Sequence, residues 1–183
     1  MEKIIYCDLD GVLANWEGRF IELNGLQKDT GLREFLKKGG KLEERFPDVR
    51  EFISDMGSSF WEGIKPFYWA KNMYRRLSSK GDFMFLTSPG NHNKRPLYAS
   101  GGAMGKLLWI SRYFNSASAS ITRDKHFHAH PNAILIDDSI GNIKRFRKYG
   151  GKAYHFPHPY KIEDGEIKVE NVLSDIENII DTI

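Results

Sequence analysis

"IIYCDLDGVLANW", residues 4–16, decides how the rest of the chain is read. Its first four residues form a short, β-favouring apolar run suited to a strand buried on both faces. The run stops at Asp8, Leu9, Asp10 and Gly11, so two carboxylates follow the buried segment with one residue between them. Alone, Asp-x-Asp-Gly is most often a turn whose side chains cap backbone amides. The choice between a turn and a site depends on what else the chain brings to the same place.

Two further apolar runs, residues 83–86 and 133–136, resemble the first, and residues 119–122 and 153–156 are weaker strand candidates. Helical periodicity lies between and after them. Pro66 can open a helix over 66–79 with Gly81 as its stop, and residues 105–114, 139–149 and 172–183 carry apolar positions at helical spacing. Strands alternating with helices predict an α/β fold, a Rossmann-like parallel sheet with helices on both faces. Two stretches break the alternation. The segment from Asn15 to about Phe60 has no good strand and is far longer than a crossover needs, so residues 15–61 are expected to form a small helical cap inserted after the first strand. Residues 1–14 and 62–183 then make the core. Asp164-Gly165, between two alternating stretches in residues 161–169, predicts a β-hairpin.

The 183 residues suffice for one well-buried core, and 40% hydrophobic with 28% charged residues is ordinary for a globular protein. A net charge of +3 is too small to argue for nucleic acid or a membrane surface. Cys7 is the only cysteine, which excludes an internal disulfide and a cysteine-based metal site. With no signal-like segment or membrane-length apolar stretch in this sequence, a cytoplasmic location is expected.

In an open parallel sheet, ligands bind at the carboxyl ends of the strands. There the first run ends in Asp8 and Asp10, the second in Thr87 and Ser88, and the third in Asp137 and Asp138. Carboxylates converging on one crevice repel one another. A hard divalent cation relieves that repulsion, and Mg²⁺ suits carboxylate, carbonyl and water ligands. One carboxylate can attack phosphorus while the other exchanges a proton with the leaving oxygen. Hydroxyls from Thr87 and Ser88 and the ammonium of Lys125, in "ITRDK", could hold the transferred charge.

These motifs have a family resemblance. "DLDGVLAN", "FLTSP", "TRDK" and "ILIDD", in that order, resemble the four signatures of the haloacid dehalogenase-like phosphohydrolases. With "KLLWISRYF", which begins at Lys106, they are most similar to the 5′(3′)-deoxyribonucleotidase family. The resemblance implies a phosphomonoesterase with Asp8 as nucleophile and Asp10 as general acid/base. It implies Mg²⁺ held by Asp8, the carbonyl of Asp10, and Asp137 or Asp138. Thr87 and Lys125 would grip the phosphate, with Ser88 and Arg123 nearby, and Trp16, Phe60 and Trp61 would line a nucleoside pocket. The substrate would be a small phosphomonoester, a deoxynucleotide first, with no membrane partner, no expected nucleic-acid partner, and room for a homodimer. The same chemistry on a nucleic-acid 3′-phosphate end or a non-nucleotide phosphomonoester is the alternative, and a catalytically silent binding module is a third. The stretch "GNHNKRPLYASGGAMG" departs from the family pattern.

Other readings compete for single motifs. Asp137 or Asp138 could cap the following helix. The alternate histidines of "HFHAH" (His126, His128, His130) suggest zinc, but without cysteine or an HExxH pattern a surface loop is preferred. The basic run "IKRFRKYGGK" reads as the solvated face of an amphipathic helix.

Overall fold

A computed structural model describes residues 2–90, 96–115 and 118–183, without the side chains of 96–100. Five parallel strands form one sheet: β1 (Ile4–Cys7), β2 (Asp82–Thr87), β3 (Ser118–Ile121), β4 (Ala133–Asp137) and β5 (Lys152–His155), in the order β3-β2-β1-β4-β5. The alternation of buried strand residues divides the core in two. Ile5, Cys7, Phe85, Ile134 and Ile136 belong to the larger apolar cluster, and Tyr6, Leu86 and Leu135 to a smaller one. Helices α6 (Ala70–Ser78), α7 (Pro96–Phe114) and α10 (Val169–Asp181) contribute to the first, and α8 (Ile140–Lys148) to the second. The expected α/β architecture is the one observed.

Between β1 and α6 lie five helices: α1 (Trp16–Leu23), α2 (Thr30–Lys37), α3 (Leu42–Arg45), α4 (Val49–Asp55) and α5 (Ser58–Glu62). Asn15 and Asp29 cap α1 and α2 by accepting from the amides of Gly18 and Leu32, each at 2.8 Å. The chain leaves and re-enters the core side by side. Phe67 N donates to Leu13 O at 2.9 Å, Asn15 N donates to Lys65 O at 3.1 Å, and Ala14 bridges Pro66. This neck explains why no helix starts at Pro66: residues 66–67 are extended against the outgoing chain, and α6 begins at Ala70. The apolar residues of these five helices (Phe20, Leu32, Leu36, Phe60) are continuous with the larger apolar cluster of the sheet.

Two further expectations are corrected. Residues 161–169 form no hairpin. Pro159 opens the short helix α9 (Pro159–Glu163) behind the His158 cap, Gly165 turns the chain at φ +76°, and α10 follows. Ion pairs from Arg33 and Lys37 to Asp164 hold that turn against α2. The glycine-rich stretch after Ser88 is mostly helix, because α7 already starts at Pro96; residues 91–95 lie outside the described ones.

Candidate active site

Sheet register brings the acidic strand ends together. Cys7 pairs with Phe85 on one side and Ile136 on the other, so Asp8 emerges beside Asp137, and its amide donates to Ile136 O at 2.9 Å. The chain then turns sharply. Leu9 O accepts from the amides of Val12, Leu13 and Ala14, and the buried Trp69 indole donates to Val12 O at 2.8 Å. Gly11 sits in this turn at φ +73°, and a Cβ there would stand 2.2 Å from Oδ2 of Asp138. The glycine is therefore required twice, by its backbone angle and by the carboxylate pressed against it.

Asp8, Asp137 and Asp138 each offer an oxygen within 4.8 Å of the others, the only such group of acids, histidines or cysteines among the described residues. Their surroundings differ. Asp8 accepts from the Leu9 amide at 2.8 Å and lies 2.9 Å from Lys125 Nζ. Asp137, fully buried, accepts from Lys125 at 2.7 Å, from the Ser139 amide at 2.8 Å and from the Asn142 side chain. The N-cap of α8 is Ser139, without a side-chain capping bond, so Asp137 does not cap the helix and instead accepts from the amide of the cap residue. Asp138 accepts no hydrogen bond on its carboxylate among the described residues; only its main-chain oxygen is engaged, by His155 at 2.9 Å. Asp138 is open to solvent on one side but crowded by protein atoms on the other. Desolvation, then the charges of Asp8 and Asp137, push its pKa well above the ordinary carboxylate range. Burial and Asp8 also raise Asp137, against the pull of Lys125 and the Ser139 amide. For Lys125, burial alone would lower the pKa, but Asp8 and Asp137 outweigh it and hold the ammonium charged.

Asp10 has its own cation. Lys106, from α7, is 2% exposed, pairs with Asp10 Oδ2, and donates to Ser88 O at 2.6 Å and Thr87 Oγ1 at 3.2 Å. Its Nζ also lies 4.3 Å from the centre of the Trp61 ring. Burial raises the Asp10 pKa, with Lys106 opposing it most strongly. The sequence places Lys106 in a motif without assigning it a role at the site. Its signal is a lysine inside an otherwise apolar helical stretch, behind glycines. Those glycines explain the departing stretch: a Cβ on Gly102 would lie 2.1 Å from Pro89 O, and one on Gly105 would lie 2.5 Å from Ser58 O. The bare Gly105 lets α7 lie directly on α5, the bare Gly102 lets it lie on the chain after β2, and together they carry Lys106 under Trp61. Trp109, whose indole donates to Ile64 O at 2.8 Å, fastens the same contact.

A cleft of about 230 Å³ opens above Asp10 and Ser88, with Trp16 and Trp61 in its lining. Thr87 is fully buried at the end of β2. Phe60 is 0% exposed and packs edge-on beneath Trp61 at 5.3 Å, so it supports the cleft instead of lining it. Arg123 is exposed and donates to Gly90 O at 3.3 Å. The three histidines do not converge. His128 packs against Tyr6, His126 against Tyr149, and His130 accepts from the Asn132 amide.

Among solved structures the chain is similar to a hydrolase from Streptococcus pneumoniae TIGR4, at 14% identity over 91% of this chain and 99% of that one, with a TM-score of 0.52. Its fold is similar to that hydrolase's. Other similar structures are a HAD-family enzyme from Bacteroides thetaiotaomicron in complex with magnesium and inorganic phosphate (14% identity, 86% and 95% of the two chains, TM-score 0.46) and a haloacid dehalogenase-like hydrolase from Streptococcus pneumoniae (18% identity, 82% of each chain, TM-score 0.47). No family model and no curated protein matches the chain. Among the described residues, no helix is long and apolar enough to cross a membrane.

Proposed function

We propose that this chain is a Mg²⁺-dependent phosphomonoester hydrolase that acts through a phospho-Asp8 intermediate on a small substrate, a deoxynucleoside monophosphate first. The observation that carries the reading is the meeting of Asp8, Asp10, Asp137 and Asp138 with two buried lysines and a buried threonine at the ends of β1, β2 and β4. The donor set fits a hard cation, because three carboxylates share one place and the Asp138 carboxylate accepts no hydrogen bond among the described residues. Asp8, Asp138 and the carbonyl of Asp10 would hold it. Asp137 instead orients Lys125 and the start of α8. When bound, the cation would supply positive charge to the phosphoryl oxygens and to the acid cluster.

The residues divide the remaining work. Asp8 attacks phosphorus, forming an Asp8 O–P bond as the bond to the leaving oxygen breaks. Asp10, whose carboxyl burial favours in the protonated form, gives its proton to that oxygen. It then takes a proton from the water that attacks phosphorus and frees Asp8. Lys125 and Thr87 stabilise the phosphoryl charge, with Ser88 beside them. Lys106 holds Asp10 toward the cleft and fixes the β2 end through Ser88 O. The apolar cleft with its two tryptophans supports a compact leaving group more than an oligonucleotide end. The fold shared with a hydrolase, and the magnesium and phosphate in the Bacteroides enzyme, agree with the reading.

Phosphate release from 5′- and 3′-mononucleotides, a 3′-phosphorylated oligonucleotide and an aryl phosphate tests it, each with Mg²⁺ and with chelator. Turnover should depend on Mg²⁺ and be strongest with deoxymononucleotides. Asp8→Asn should lower kcat by at least about 10³-fold, because the covalent route is lost. Equal turnover by wild type and Asp8→Asn would overturn the mechanism.

A further inference from the structure

The cleft has two charged lining residues that the hydrolytic chemistry does not use. Val49, Ile53, Trp16 and Trp61 line it together with Glu43 and Arg50. Glu43 stands on α3 and Arg50 on α4, and a guanidinium nitrogen of Arg50 donates to Oε1 of Glu43. The side chains are 50% (Arg50) and 27% (Glu43) exposed, a degree at which such pairs contribute little to stability. One nitrogen and one oxygen are engaged, which leaves further N–H donors and the second carboxylate oxygen for a ligand. A planar group resting against the tryptophan rings would share the cleft with this pair.

Resting on the phosphomonoesterase reading, we propose that Glu43 and Arg50 select a leaving group whose planar edge carries an adjacent hydrogen-bond acceptor and donor, as a nucleobase does. Arg50 donates to the acceptor and Glu43 accepts from the donor. A base-free sugar phosphate satisfies neither and leaves the pair closed on itself. Charge-assisted hydrogen bonds of this type correspond to roughly ten- to a hundredfold discrimination.

The test is the ratio of kcat/KM for deoxynucleoside 5′-monophosphates to that for 2-deoxyribose 5-phosphate, measured with Mg²⁺. In Arg50→Met the ratio should fall at least about tenfold, mainly through KM for the base-bearing substrate. Glu43→Gln should lower it too. A general loss of folding would depress both substrates alike, so thermal melting accompanies each assay. If Arg50→Met melts below the assay temperature, Arg50→Lys, which keeps the charge and loses the planar fork, should still lower the ratio. An unchanged ratio in folded variants, with a wild type that prefers nucleotides, overturns this inference alone. A wild type that does not prefer nucleotides overturns it together with the deoxynucleotide reading.

Discussion

Two buried lysines flank the Asp8-Leu9-Asp10 turn, and they reach it by different routes. Lys125 lies just after a strand, in the short 3₁₀ turn Lys125–His128, and sits between Asp8 and Asp137. Lys106 comes from the middle of α7 and meets Asp10 only because that helix packs closely on α5. The carboxylates also differ: the Asp8 and Asp137 side chains are 10% and 0% exposed, that of Asp10 23%. One lysine neutralises charge that is nearly or wholly buried, and the other restrains a more exposed carboxylate, the one proposed to exchange protons with substrate and water. The first pair builds the floor of the site, and the second sets its working face.

The difference should appear when each lysine loses its charge. Lys125→Met leaves two buried carboxylates unpaired, and removing one partner of a buried pair costs about 3–5 kcal/mol. Lys106→Met leaves a carboxylate that water can reach, so a loss of about 1–3 kcal/mol is expected. Urea unfolding of both variants measures the two values, and phosphate release should fall by at least about a hundredfold in each. A larger stability loss for Lys106→Met would reverse the assignment of floor and working face.

The route of Lys106 can be broken without touching it. In Gly102→Ala the new Cβ meets the main-chain oxygen of Pro89, which cannot swing aside, so α7 must move away from the chain after β2, where Lys106 bonds Ser88 O. Overpacking of this kind costs about 1–3 kcal/mol, and turnover should fall with it as Lys106 shifts from Asp10. Gly141→Ala in α8 is the control. Its nearest neighbour, Ser139 Oγ, stands at an ordinary 3.6 Å, and the change should be neutral or stabilising by up to about 1 kcal/mol. If Gly102→Ala behaves like the control, the glycines do not set the position of Lys106.

This contrast also marks what the sequence could convey. Asp8, Asp10, Thr87, Asp137 and Lys125 all sit at or near strand ends, and a parallel sheet carries strand ends to one edge whatever its details; order and spacing were enough. Lys106 depends on how closely α7 approaches α5 and the chain after β2, which the missing side chains of Gly105 and Gly102 set. No local pattern encodes that distance. Phe60 and Trp61 are adjacent aromatics that sequence treats alike, yet one turn of α5 buries the first and leaves the second at the cleft. The 161–169 hairpin failed for a related reason: Asp-Gly suits a hairpin turn and a helix end equally, and Pro159 with the ion pairs from α2 decides for the helix.

Glu17 extends the comparison to a half-buried acid with no lysine or arginine partner among the described ion pairs; its contact is His158, 3.5 Å away. Burial, then the charge of Glu43, pushes its pKa from 4.5 up to about 7. Burial, with Lys161 and Arg33, pushes His158 from 6.5 down to about 4. A raised carboxyl supports the fold fully below pH 4.5, and that support is lost as pH rises through 7. A depressed histidine works in the opposite sense: its support is complete above pH 6.5 and is lost as pH falls toward 4. Glu17→Gln removes only the first dependence. Relative to wild type, the variant should gain stability steadily between pH 4.5 and 7 and stay level above, by on the order of 1–3 kcal/mol, with no difference near pH 4. Urea midpoints across this range read the gain directly. A variant that instead loses stability as pH rises would show that Glu17 and His158 pair as ions, and that this acid, like Asp8 and Asp10, had found its cation after all.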